Sequence, residues 1–467
     1  MRIITIIILF SLIGCKNENI EDVRKQYQYS KADLLFDLEY LKNSLVNTHI
    51  DVYAHTTKET FEENFLKVKN QIKKDSFSEL EAIKTFQEVV SVLNNGHTRI
   101  SFPIAPYSNY LRSGGTVFPL EVAIEEGKIL VRKNWSTNTD IKIEDELISI
   151  NGVPMEEVLE KIYSQISAER RYFENAQLEN LSLPRYFWLV YGEQKEFEIE
   201  VMQNQKLKPF QVDAVKAIED FEMKRDDIIK HDMQFQMLPL NIAYLRPGDF
   251  GGDLEKYQKF IDSSFQRINE KRSENLIVDL RNHSGGEDAF SDYLVSYIAD
   301  KPFKWNSKFE LRTSKLLKED TRKNRDTSQA YWNAVLSHSD GEIYQYNFNL
   351  YQPQPKEKRF QGKVYALVNR QSYSQSTVTA AQLQDYGFAT IVGEETAEYP
   401  NLYASIFNYE LPKTGIRIDV PKGKIYRISG IDNGLGVIPD IEIKDHLLDE
   451  NDEILDGILT RIRSINE

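Results

Sequence analysis

The chain has 467 residues, of which 28% are charged and 41% hydrophobic, and it carries a formal net charge of −14. That length allows two or three domains and a sizeable core, and the composition is that of a globular protein. The negative balance argues against nucleic acid or an anionic membrane surface as an electrostatic partner. Cys15 is the single cysteine, so no intramolecular disulfide forms.

Residues 1–15 are expected to stand outside the fold. Arg2 is a minimal basic region, and residues 3–13 form an apolar run too short to span a membrane. Leu12-Ile13-Gly14-Cys15 resembles a bacterial lipobox. The resemblance implies cleavage before Cys15 and its lipidation. A lipoprotein of the cell envelope would result, anchored to a membrane and facing the periplasm or the exterior. Residues 16–29 are polar and read as a tether.

Residues 30–105 read as helical. Ser30 with Asp33 forms an N-cap pattern, and Leu34, Leu38, Leu41 and Leu45 make a helical stripe. Thr60 is read as the cap of a second helix, with Phe61, Phe65 and Val68 facing inward. A third helix carries Phe86, Val89, Val90 and Leu93 at i, i+3, i+4 and i+7. Gly96 stops it, His97 follows, and residues 99–102 read as a strand.

Residues 106–212 turn to short strands, among them 117–122 and 128–131. Residues 144–154, with Asn151-Gly152 as a hairpin turn, resemble a signature of PDZ domains. A helix over 155–166 follows. Modules of that kind add a peptide as an extra strand. Gly114-Gly115 is a poor substitute for the carboxylate loop such modules carry.

Residues 213–467 alternate strands and helices, which argues an α/β sheet. The predicted strands cover 241–245, 276–280, 364–368 and 389–392. The predicted helices cover 254–268, 289–299, 374–386 and 454–465. Residues 304–360 break the pattern and, with Lys315, Lys318, Lys323 and Arg325, read as a solvated insertion. Residues 415–420 and 424–428 read as a hairpin.

Three stretches carry chemistry. A serine between a strand and a helix is displayed at the strand's carboxyl end, beside the partial positive charge of a helix N-terminus. Ser372, Ser374 and Ser376 all occupy that turn. Gly285-Gly286, after the strand that ends near Leu280, lets backbone N–H groups approach a substrate carbonyl. Upstream lies Asn94-Asn95-Gly96-His97-Thr98.

In chain order, from Asn94 through Gly285-Gly286 to the serine turn, the three stretches resemble the tail-specific (C-terminal processing) serine protease family. The family's core belongs to the ClpP/crotonase group of folds. A closing Gly434-Leu435-Gly436-Val437-Ile438-Pro439-Asp440 matches a fourth motif. The resemblance implies an α/β core with an N-terminal helical domain and a PDZ-like domain, a polypeptide substrate and peptide-bond hydrolysis.

Counting back eleven residues from Asp385 of the Gln-Asp-Tyr-Gly segment puts the family's nucleophile on Ser374. Members with a Ser–Lys dyad place the lysine twenty-five residues on, which is Tyr399 here, and neither Lys413 nor Lys422 matches that motif. The tricorn-core-like branch uses a histidine instead, which implies His97 as base. The family's orienting glutamate falls on Asn433 by motif spacing, and Asp432 just before it is the favoured acid, with Asn433 as an uncharged alternative. The oxyanion donors implied are the N–H of Gly285 or Gly286 and that of Gln375. His283 is the rival base. No P-loop, Gly-x-Gly-x-x-Gly or His-Glu-x-x-His pattern occurs, so no cofactor and no metal are expected. The same fold serves as a non-catalytic scaffold in interphotoreceptor retinoid-binding protein, so an inactive binding lipoprotein is the alternative reading.

Overall fold

A computed structural model describes residues 28–466. Cys15 and the lipobox lie outside the described residues. Among the described residues no helix is long and apolar enough to cross a membrane.

A mixed α/β architecture is built on a six-stranded sheet. Its strand order is Gln234–Leu238, Ile242–Arg246, Asn275–Asp279, Lys363–Val368, Thr390–Gly393 and Ile441–Glu442. The first pair is antiparallel and the rest are parallel. Alternate side chains face opposite ways along a strand, so a sheet covered on both sides reads as an unbroken apolar run. Ala243, Leu245, Leu276, Val278 and Ala366 face the Leu254–Lys271, Asp288–Ser296 and Gln375–Tyr386 helices. Tyr244, Ile277, Tyr365 and Leu367 face Ile454, Ile458 and Ile462 of the terminal Glu453–Asn466 helix. Each of the valine, leucine and isoleucine side chains among them, fully buried, contributes ~1.5–3 kcal/mol.

A second sheet, ordered Ile343–Gln345, Lys308–Arg312, Arg417–Tyr426 and Tyr403–Glu410, stands beside the first. The helices Lys31–Thr48, Lys58–Gln71 and Glu79–Ser91 share its core. Ser30 caps the first of these helices by accepting the N–H of Asp33. The second is capped by Thr57, not Thr60, because Thr57 Oγ1 accepts the Thr60 N–H at 3.1 Å. Where a hairpin was expected, Arg417–Tyr426 runs as one strand, since Pro421 and Gly423 stay paired with Ile406 and Ala404. Residues 99–102 form no strand; Arg99 alone bridges Asp419. Residues 304–360 are not merely a solvated insertion: they supply the strand Lys308–Arg312 and buried Trp305 and Phe309.

A β-rich lobe is formed by Leu120–Glu125, Lys128–Asn134, Glu146–Ile150, Glu196–Gln203 and Lys206–Asp213. Asn151 and Gly152 both take positive φ (52° and 74°) at its hairpin turn. Two helices missed in the strand-dominated pattern, Arg171–Leu181 and Leu183–Tyr191, cover this sheet. The lobe is tied to the turn 369–374. Glu179 accepts from Arg370 Nε at 2.9 Å and from Gln371 Nε2 at 3.0 Å, and all three side chains are buried.

Candidate active site

The Lys363–Val368 strand ends in the turn 369–374, and the Gln375–Tyr386 helix begins at once. Ser374 sits at that junction with φ 56° and ψ −130°, a conformation L-residues rarely adopt. Such strain persists where the surroundings over-determine it. Two neighbouring hydroxyls do the pinning. Ser372 Oγ and Ser376 Oγ both donate to the Leu280 carbonyl, at 2.7 and 3.2 Å, and both residues are fully buried. They are structural, and only Ser374 of the three is partly accessible.

The glycine loop leans on this turn. Asn282 and Asn369 exchange hydrogen bonds, backbone to side chain at 3.0 Å and side chain to side chain at 2.9 Å. Gly285 has φ 87°, and a Cβ on it would lie 2.5 Å from the Gln375 nitrogen. Its N–H donates to His283 Nδ1 at 2.9 Å. His283 is buried against Phe250, and burial pushes its pKa down to about 4. It is a neutral brace for the loop, not a base aimed at Ser374. No hydrogen bond occupies the N–H of Gly286 or Gln375 among the described residues.

His97 arrives from the far end of the chain. Asn95 Oδ1 accepts the His97 N–H at 3.1 Å and the Thr98 hydroxyl at 3.0 Å. Arg99 then pairs with Asp419, exchanging N–H···O bonds of 3.2 and 2.9 Å. These contacts aim the ring at the turn. His97 Nε2 lies 3.1 Å from Ser374 Oγ, across 277 positions of sequence.

The acid at the other ring nitrogen is Glu398. Its Oε1 is 2.9 Å from His97 Nδ1. That approach is an ionic contact without the straight N–H···O alignment of a full hydrogen bond. Its Oε2 accepts the Ser374 N–H at 2.6 Å. Asp432 and Asn433, expected in this role, do not fill it. Both are exposed, and Asn433 Oδ1 accepts the Leu435 N–H at 3.2 Å instead. Position 433 lies on a turn that leaves the site. Glu398 immediately precedes Tyr399, the position where the dyad lysine was sought, so its segment had been marked.

A second carboxylate, Glu169, comes from the β-rich lobe and was not foreseen. Its Oε1 accepts the Gly96 N–H at 2.8 Å. Ligand-type atoms of His97, Glu169 and Glu398 all lie within 4.8 Å of one another. Burial, then the charge of Glu398, raises the Glu169 pKa to about 7. For His97, burial favours the neutral ring, but the close carboxylate of Glu398 outweighs it, with the charge of Glu169 adding to the effect. The net shift is upward from 6.5.

Two cavities meet at this pair. One, about 530 Å³, runs toward the β-rich lobe past Phe102, Phe173 and Tyr186. The other, about 470 Å³, runs toward the second sheet past Trp305, Trp332 and Phe348. His97, Ser374, Gly286 and Ile406 line both.

Residues 241–443 match the model of peptidase family S41. Mature CPAF complexed with lactacystin is similar over 93% of this chain and 97% of its own, at 16% identity and a TM-score of 0.62. Mature CPAF alone is similar over 88% and 93%, at 16% identity and a TM-score of 0.60. The photosystem II D1 C-terminal processing protease is similar over 92% and 97%, at 16% identity and a TM-score of 0.45. At such identity the likeness to CPAF is one of fold. Residues 241–443 thus carry the match to peptidase family S41, a family of serine peptidases and therefore of hydrolases.

Proposed function

We propose that the protein is a serine endopeptidase that cuts polypeptides through an acyl-enzyme on Ser374. The observation that carries this reading is the 3.1 Å contact of His97 Nε2 with Ser374 Oγ. A serine hydroxyl is a poor nucleophile until an imidazole takes its proton. As Oγ bonds to the substrate carbonyl carbon, Nε2 receives the hydroxyl proton. Glu398 stabilises the imidazolium that results. The carbonyl oxygen gains the negative charge and accepts from the N–H groups of Gly286 and Gln375. Gly285 is the weaker choice, because His283 already takes its N–H. The imidazolium returns the proton to the leaving amine as the C–N bond breaks. Water, deprotonated by the same ring, then releases the acid and restores Ser374. Reliance on histidine is the pattern expected of the tricorn-core-like branch rather than of the Ser–Lys branch.

The core of residues 213–467 fits a ClpP/crotonase-like fold, and the 106–212 lobe a PDZ-like module preceded by helical residues 30–105. Lipidation at Cys15 would hold the enzyme at a membrane of the cell envelope. The test is casein turnover by the purified protein beside its Ser374→Ala and His97→Ala variants, with labelling by a fluorophosphonate. Turnover and a single adduct on Ser374, both lost in Ser374→Ala, support the reading. Equal turnover by Ser374→Ala overturns it. A protein that binds peptides without cutting them would point to the scaffold alternative.

A further inference from the structure

Lys422 is an anomaly that the reaction leaves unused. It lies mid-strand in Arg417–Tyr426 and is 4% exposed. No carboxylate lies within ion-pair distance of its ammonium among the described residues. Instead Nζ donates to the Ser405 carbonyl at 2.8 Å and sits 5.7 Å from the Trp332 ring centre. A buried ammonium without a counter-charge is costly, and such groups concentrate at functional sites. The backbone opposite is strained as well. Ser405 takes φ 57°, and the Ser405–Lys422 pair drops out of a ladder otherwise continuous from Tyr403 to Glu410. Burial, then the charge of Arg325, lowers the Lys422 pKa to about 7.

This ammonium lines the 470 Å³ cavity that also holds Ser374 and His97 in its wall. The other walls are rings. Trp305 and Phe348 have centroids 4.9 Å apart, Phe309 and Phe348 5.3 Å, and Tyr331 and Trp332 4.8 Å. Ring-lined walls suit a flat apolar guest, and the buried ammonium suits a guest with an acceptor at its tip. Glu287 and Asp288 share the lining. Two carboxylates against one ammonium disfavour an acidic guest, so a neutral oxygen is the better complement.

We infer that this cavity is the side-chain subsite next to the scissile bond. It takes a tyrosine side chain, with Lys422 donating to the phenolic oxygen as a specificity-determining residue. The inference rests on the peptidase reading of Ser374. A pocket built to hydrogen-bond a hydroxyl discriminates strongly against the analogue that lacks it.

The test uses the full chain and four peptides that differ only at one residue flanking the cut, as tyrosine, phenylalanine, leucine or glutamate. The series is placed on each side of the bond in turn. On one side, kcat/KM for tyrosine exceeds that for phenylalanine by about 10- to 100-fold, and glutamate is poorest. Lys422→Met brings the tyrosine-to-phenylalanine ratio close to 1 and leaves phenylalanine cleavage within about threefold. A wild-type ratio near 1 on both sides, a ratio unchanged in Lys422→Met, or a preference for glutamate overturns the inference. Because Lys422→Met removes a buried contact, the binding of the same peptides to Ser374→Ala, read by tryptophan fluorescence, is a second measurement. Tyrosine-selective binding there supports the subsite even if wild type cuts nothing, which would sink the peptidase reading alone. Unselective binding counts against the subsite.

Discussion

Glu398 holds His97 and Ser374 with one carboxylate: Oε1 is 2.9 Å from His97 Nδ1, and Oε2 accepts the Ser374 N–H at 2.6 Å. One buried side chain therefore sets both the charge behind the His97 ring and the backbone of the strained Ser374.

Replacing it separates the candidate acids. Glu398→Gln is expected to lower kcat by about 10²- to 10⁴-fold, the range for losing an orienting carboxylate. Asp432→Asn and Asn433→Ala change it by less than about threefold, as exposed substitutions distant from the chemistry do. Steady-state kinetics on casein or a peptide decides. Equal losses in all three variants would return the role to the 432–433 turn.

The pH profile follows from the same contact. The base works as the neutral ring, and its pKa is raised above 6.5, with Glu398 the main raising influence against burial. Activity therefore falls as pH drops through a value above 6.5. The acid limb of kcat/KM reports this free-enzyme group. In Glu398→Gln the limb moves to lower pH, because the imidazolium loses its counter-charge. A limb that stays in place would assign it to another group.

Glu169 makes a stability prediction with a defined sign. Its folded pKa of about 7 lies above the ordinary 4.5. Between those values the folded chain binds more protons than the unfolded one, so stability from this site is lost as pH rises through that window. Glu169→Gln keeps an acceptor for the Gly96 N–H and removes the charge. Its Tm should exceed that of wild type by about 1–3 °C at pH 8 and match it near pH 4.5. Melting curves at the two pH values check this.

The glycine loop tolerates no side chain. A Cβ at Gly286 would meet the Phe250 carbonyl oxygen at 1.9 Å, from a backbone with φ 137°. Gly286→Ala is expected to cost about 2 kcal/mol or more and to abolish turnover by shifting the loop. His283→Asn retains an acceptor for Gly285. It should lower kcat by about tenfold without moving the acid limb, whereas a moved limb would make His283 a titrating participant. Chemical denaturation and a pH series read the two effects.

The sequence by itself determined what depends on local pattern. Unbroken apolar runs flanked by turn residues marked the central strands, because a sheet covered on both faces buries every residue of such a run. Ser374, His97 and Gly285-Gly286 were legible because each sits where a regular element ends, and the eleven-residue spacing to Asp385 ranked Ser374 above Ser372 and Ser376. Only the tertiary structure decided which groups act on one another. Glu398 and Glu169 lie 24 residues after Ser374 and 73 after Gly96, and they converge through lobe packing that no periodicity encodes. Motif spacing pointed to Asn433 because it counts along the chain, whereas the carboxylate reaches the ring across space. Lys422 falls in the turn of the hairpin expected over 415–428, and its burial follows from rings donated by residues 304–360. Long-range contacts of this kind depend on how sheets and lobes close over the site, which a strand's own residues do not specify.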